Sequence, residues 1–121
     1  RPISVLDVGC GIGYGRKVML DKKVPGHYLG IDVDPRSIEY CKKMYHPDSF
    51  ILDDFADHDF GKFDLVFCIE VIEHVPEVDR PYFLNKVIDL ADRAAFISTP
   101  DKRKPFLLIT FDYGNIRRKS R

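Results

Sequence analysis

The chain has 121 residues, of which 45% are apolar and 31% charged; that is one small globular domain and excludes a disordered segment. Nineteen basic and nineteen acidic side chains cancel, so the chain as a whole is no polyanion-binding field. No run approaches the roughly 18 consecutive apolar residues of a membrane span, and no basic-then-apolar signal segment opens the sequence.

Six short apolar runs stand out, at residues 3–8, 28–33, 49–52, 63–69, 94–98 and 106–111. Most are continuous in Val, Ile, Leu and Phe rather than alternating, as strands covered on both faces of a parallel sheet are. Helices are expected at 14–23, at 35–45 with Asp34 as N-cap and Pro35 at N1, and at 79–92. Residues 55–62 are short and polar and read as a loop or single turn. Strands alternating with helices predict an α/β fold, a Rossmann-like open and mostly parallel sheet with helices on both faces. Too few residues separate 98 from 106 for a parallel crossover, which needs a dozen or more. The last strand must then run antiparallel if it lies beside the fifth, or else residues are missing between Pro100 and Phe106.

The charge is uneven. Residues 101–121 carry seven basic side chains (Lys102, Arg103, Lys104, Arg117, Arg118, Lys119 and Arg121) and two acidic ones. Residues 113–121 read as a basic tail on a core of residues 1–112, either a solubilising terminus or a phosphate-binding one. Cys10, Cys41 and Cys68 form no C-x-x-C pair and no even-numbered framework, which points to reduced thiols in a cytoplasmic protein. The start at Arg1 rather than Met, almost directly on a strand, suggests a fragment or a processed chain.

The first strand runs into Asp7-Val8-Gly9-Cys10-Gly11-Ile12-Gly13-Tyr14-Gly15. Glycines at a strand-to-helix turn permit positive φ and close approach of a ligand to backbone, and the helix start offers free N–H groups. The spacing fails the dinucleotide pattern G-x-G-x-x-G, because Tyr14 or Arg16 stands where its third glycine belongs. It also lacks the Lys-Ser or Lys-Thr of a phosphate-binding Walker loop. The stretch resembles motif I of the class I S-adenosylmethionine-dependent methyltransferases.

The resemblance extends along most of the chain and implies a cofactor site. Gly9, Gly11 and Gly13 would line it, with Asp7 near the methionine amino group and Tyr14 near the methionine carboxylate. Asp32, at the end of the second strand and followed by Val33, matches the acidic residue that takes both ribose hydroxyls. An acceptor-only carboxylate suits that task. Asp54, followed by Phe55, matches the acidic residue on the adenine amino group, with Asp53 as the alternative. Ile69 would close the site at the end of the fourth strand.

The fourth strand ends Glu70-Val71-Ile72-Glu73-His74. This E-x-x-E-H ending is similar to that of ubiquinone-biosynthesis O-methyltransferases and of small-RNA 3′-terminal 2′-O-methyltransferases. Two carboxylates and an imidazole can ligate Mg²⁺, Mn²⁺ or Zn²⁺, so Glu70, Glu73 and His74 are candidate metal ligands, with Asp101 as a further oxygen donor. His74 is alternatively a general base, with Glu73 beside it. The cluster is otherwise structural. The resemblance implies methyl transfer from the cofactor to an oxygen of a small-molecule acceptor or, engaged through the basic tail, of RNA. A non-catalytic cofactor-binding scaffold is the rival. The family sheet has seven strands and this chain offers six, so a truncated version is expected.

Overall fold

The computed structural model describes residues 2–98 and the backbone of 106–112 and 115–120. Strands β1 (Ile3–Val8), β2 (Gly26–Asp32), β3 (Phe50–Leu52), β4 (Phe63–Ile69), β5 (Ala91–Ser98), β6 (Phe106–Asp112) and β7 (Asn115–Ser120) alternate with helices α1 (Tyr14–Asp21), α2 (Pro35–Met44) and α3 (Arg80–Leu90). The strands form one sheet in the order β3-β2-β1-β4-β5-β6-β7. The first five are mutually parallel, and β6 and β7 run antiparallel. This is the α/β sheet expected from the sequence. Its order reverses between β1 and β4, where the carboxyl ends of strands open a crevice.

Side chains along a strand alternate between its faces. Leu6, Val8, Ile31, Val66, Cys68, Ala95 and Ile97 pack with Phe83, Val87 and Leu90 of α3. Val5, Tyr28 and Phe50 pack on the other face with Met19 of α1 and with Ile38 and Cys41 of α2. Both faces are therefore apolar, which is why the strands read as continuous runs. Asp34 caps α2 as expected, its carboxylate accepting from the Arg36 amide at 3.1 Å and the Ser37 hydroxyl at 2.8 Å.

Two expectations need correction. Strand β5 begins at Ala91, directly after α3, and not at residue 94. Its register against β4 shifts between Phe63 and Leu65, and the extra residue at this bulge hides the alternation. The segment read as a basic tail contributes β7, with Asn115 facing Asp112 and Ser120 facing Leu107. The sheet thus has seven strands, not six. A strand at the sheet edge needs few apolar residues, and lysines and arginines there deter pairing with another chain, so Ile116 alone carried too little signal. Asp101 lies outside the described residues. No described helix is long and apolar enough to cross a membrane.

Candidate functional site

The glycine loop follows β1 and folds back over β2. The amides of Gly9 and Cys10 both donate to the Ile31 carbonyl, at 2.8 and 3.0 Å. Gly9, Gly11 and Gly13 all take left-handed backbone, with φ of 73°, 55° and 92°. Each has a separate local setting. A Cβ on Gly9 would stand 2.3 Å from Val71 Cγ2, and one on Gly13 would stand 2.7 Å from Tyr45. A Cβ on Gly11 would meet nothing within 4 Å: the space above it is open.

Asp32 fastens this loop. Its Oδ2 accepts from the Gly11 amide at 2.8 Å, and its Oδ1 accepts from the Asp34 amide at 3.0 Å. A carboxylate has about four acceptor positions, so two remain for a ligand. Asp7 sits beneath the loop, 7% exposed. The Tyr28 hydroxyl donates to its Oδ2 at 2.6 Å. Burial raises the Asp7 carboxyl to about 6; the Tyr28 hydrogen bond lowers it and the charge of Asp32 raises it. The absence of a Cβ at Gly15, which would fall 2.6 Å from Asp7 Oδ2, lets α1 approach the carboxylate. No motif in the chain points to Tyr28. The signal lies in the register: Asp7 faces Gly30 and Val5 faces Tyr28, so the phenol reaches diagonally across a glycine.

A cavity of about 820 Å³ opens at the carboxyl ends of β1 to β4. Gly9, Asp32, Val33, Asp53, Asp54, Phe55, Glu70 and His74 line it among the sequence candidates. Asp7, Gly11, Gly13, Tyr14, Ile69 and Glu73 are not in its wall. Ala56 and Asp57 extend the wall after Phe55, and Val71, Val75, Pro76, Asp79, Tyr82 and Phe83 add to it from the segment after β4 and from α3, which the motifs do not reach. No lysine or arginine among the described residues lines the cavity, whereas six carboxylates do. After β3, the Asp53 carboxylate accepts from the Asp54 amide at 2.8 Å and pairs with His58 Nδ1 at 2.9 Å. Asp54 is more exposed, and its Oδ1 accepts from the Ala56 amide at 3.0 Å.

The metal expectation is not met. Among the described residues no three His, Cys, Asp or Glu side chains come together to hold an ion. Glu70 leaves β4 in left-handed backbone, φ 55°, with its amide donating to the carbonyl and hydroxyl of Ser98. Glu73 lies in a 3₁₀ turn, Ile72–His74, and turns one oxygen into a buried position without a hydrogen bond. Its Oε1 is 3.5 Å from His74 Nε2. Arg80 holds the turn by donating to the carbonyls of Val75 and Glu73, at 3.0 and 3.4 Å. The E-x-x-E-H spacing therefore yields a Glu73–His74 pair, with the His74 side chain 80% exposed. Burial pushes the Cys68 thiol up to about 12 and that of Cys10 higher, so neither is a nucleophile at neutral pH.

The methyltransferase-domain family matches residues 5–93 of the chain. The chloroplastic tocopherol O-methyltransferase of Arabidopsis thaliana is 35% identical over 96 residues, covering 73% of this chain and 27% of the relative. A ubiquinone biosynthesis O-methyltransferase of Aromatoleum aromaticum is 34% identical over 82 residues, covering 60% of this chain and 33% of the relative. The chain thus spans about a third or less of these relatives' lengths. Among solved structures, magnesium protoporphyrin IX methyltransferase of Synechocystis PCC 6803 with bound S-adenosylmethionine has a TM-score of 0.68 at 20% identity, covering 97% of this chain and 67% of that one. By the family match and its supporting relatives, the chain belongs to the methyltransferase-domain family.

Proposed function

We propose that this domain binds S-adenosylmethionine in the cavity at the carboxyl ends of β1 to β4 and transfers its methyl group to an oxygen of a small-molecule acceptor. The observation that carries the reading is the join of Gly11 to Asp32, which sets a carboxylate with unused acceptor positions beside open space over left-handed backbone. The residues fit the cofactor. Asp32 accepts the ribose hydroxyls, and Asp54 with the Phe55 amide meets the adenine. The acidic lining suits a ligand with a sulfonium and an ammonium group.

When bound, the cofactor supplies a methyl group on a sulfonium, an electrophile with a good leaving group. What remains for the chain is orientation and removal of the acceptor proton. His74 lines the cavity and is open to solvent; it takes the hydroxyl proton as the oxygen–methyl bond forms, and Glu73 beside it stabilises the resulting imidazolium. The oxygen acceptor is supported by the two relatives named as O-methyltransferases. An RNA acceptor finds no support in the cavity, whose described wall holds no cation to meet a phosphate.

Calorimetric titration with S-adenosylhomocysteine tests the reading. Saturable one-to-one binding is expected. A folded sample that does not bind would overturn it.

A further inference from the structure

We propose that Lys86 is a positioning residue for the cofactor, tying the loop after β3 to α3 and so fixing the cavity wall that carries Asp54 and Phe55. This rests on the cofactor reading above. Two walls face each other at this end of the cavity: Asp54, Phe55, Ala56 and Asp57 on the loop, and Tyr82 and Phe83 on α3. Lys86 lies three and four residues beyond those aromatics, one helical turn along. Its ammonium donates to the backbone carbonyls of both Phe55 and His58. It also stands 4.6 Å from the centroid of the Phe55 ring and 5.9 Å from that of Phe60. Phe55 in turn packs edge-on against Phe83, with centroids 5.3 Å apart.

The loop's own bonds are local. Ala56 and Asp57 amides donate to Asp54 Oδ1 and to the Asp54 carbonyl, and His58 pairs with Asp53. They shape the turn without locating it against the helix. Lys86 adds a polar tie to the packing of Phe55 on Phe83, and charge-assisted donation makes it stronger than a neutral hydrogen bond. The Phe55 carbonyl it holds belongs to the residue whose amide meets the adenine. A shift at the carbonyl moves the amide.

The test compares Lys86→Met, which keeps the stem over the rings, with Lys86→Arg, which keeps the donors. Titrations use S-adenosylhomocysteine and adenosine, and hydrogen exchange is read at the Ala56 and Asp57 amides. Lys86→Met should weaken both ligands by the same factor, about tenfold, the scale of a lost hydrogen bond to a charged group. The two amides should exchange faster, and Lys86→Arg should restore most of the affinity. Faster exchange with unchanged affinities would make Lys86 merely structural and overturn the proposal. So would a larger loss for S-adenosylhomocysteine than for adenosine, since the loop meets only the adenine end. Wild-type protein that binds neither ligand would sink the cofactor reading and this role with it, a failure visible before any variant is made. Should Lys86→Met not fold, Lys86→Gln is expected to give the same equal loss for both ligands.

Discussion

The Gly11 amide and Asp32 Oδ2, 21 positions apart in the chain, are joined at 2.8 Å. The residue matched to ribose binding is therefore also the anchor of the glycine loop. Asp32→Ala should weaken S-adenosylhomocysteine by ~1.5–3 kcal/mol, the scale for hydrogen bonds to a charged group. It should also free the Gly11 amide to exchange with solvent. Titration and hydrogen exchange separate the two effects. Unchanged affinity would place the ribose elsewhere.

Gly9 and Gly11 share left-handed backbone but differ in surroundings, so alanine should cost them differently. At Gly11 the cost is the backbone conformation alone, ~1–2 kcal/mol. At Gly9 the new Cβ also falls 2.3 Å from Val71 Cγ2, and such overpacking adds ~1–3 kcal/mol. Urea unfolding should rank Gly9→Ala clearly below Gly11→Ala. Equal losses would mean that Val71 moves aside freely.

The legible parts of this protein were local ones. The glycine loop, the Asp34 cap and the parallel core each announce themselves within a few residues, because turn chemistry and strand burial act at that range. The Asp7–Tyr28 bond and the Lys86 tie depend on strand register and on how α3 lies over the loop, which no spacing states. The metal reading failed for a related reason. E-x-x-E-H gives the intervals between Glu70, Glu73 and His74 but not their directions. With Glu70 in left-handed backbone and Glu73 in a 3₁₀ turn, the three side chains do not gather into one set. Strand β7 was hidden because its pairing is a backbone matter and Ile116 is its one apolar residue.

The Glu73–His74 pair makes a second prediction about chemistry. Once an acceptor is in hand, His74→Ala should lower kcat by roughly 10²–10⁴-fold, the range for loss of a general base, and added imidazole should recover part of it, because the side chain is open to solvent. Glu73→Gln should cost less, since it removes the partner and leaves the base. A chelator should leave wild-type turnover unchanged, because these side chains do not form a three-ligand set. Loss of turnover with a chelator, restored by Mg²⁺ or Mn²⁺, would reinstate the ion.

Asp7 gives the last prediction, on stability against pH. Burial lifts its carboxyl to about 6 in the folded chain, from an ordinary value of 3.8. The folded state thus binds this proton more tightly than the unfolded one. The stabilisation from protonated Asp7 is fully present below the unfolded value and is lost as pH rises through about 6. Asp7→Asn has no proton to lose and keeps an oxygen to accept from Tyr28. Its stability relative to wild type should therefore climb between pH 4 and 7, by at most about 3 kcal/mol from the size of the shift. Urea unfolding of both proteins across that range measures the difference directly. A flat difference would mean that Asp7 ionises in the ordinary carboxylate range despite its burial, with the Tyr28 hydroxyl outweighing desolvation.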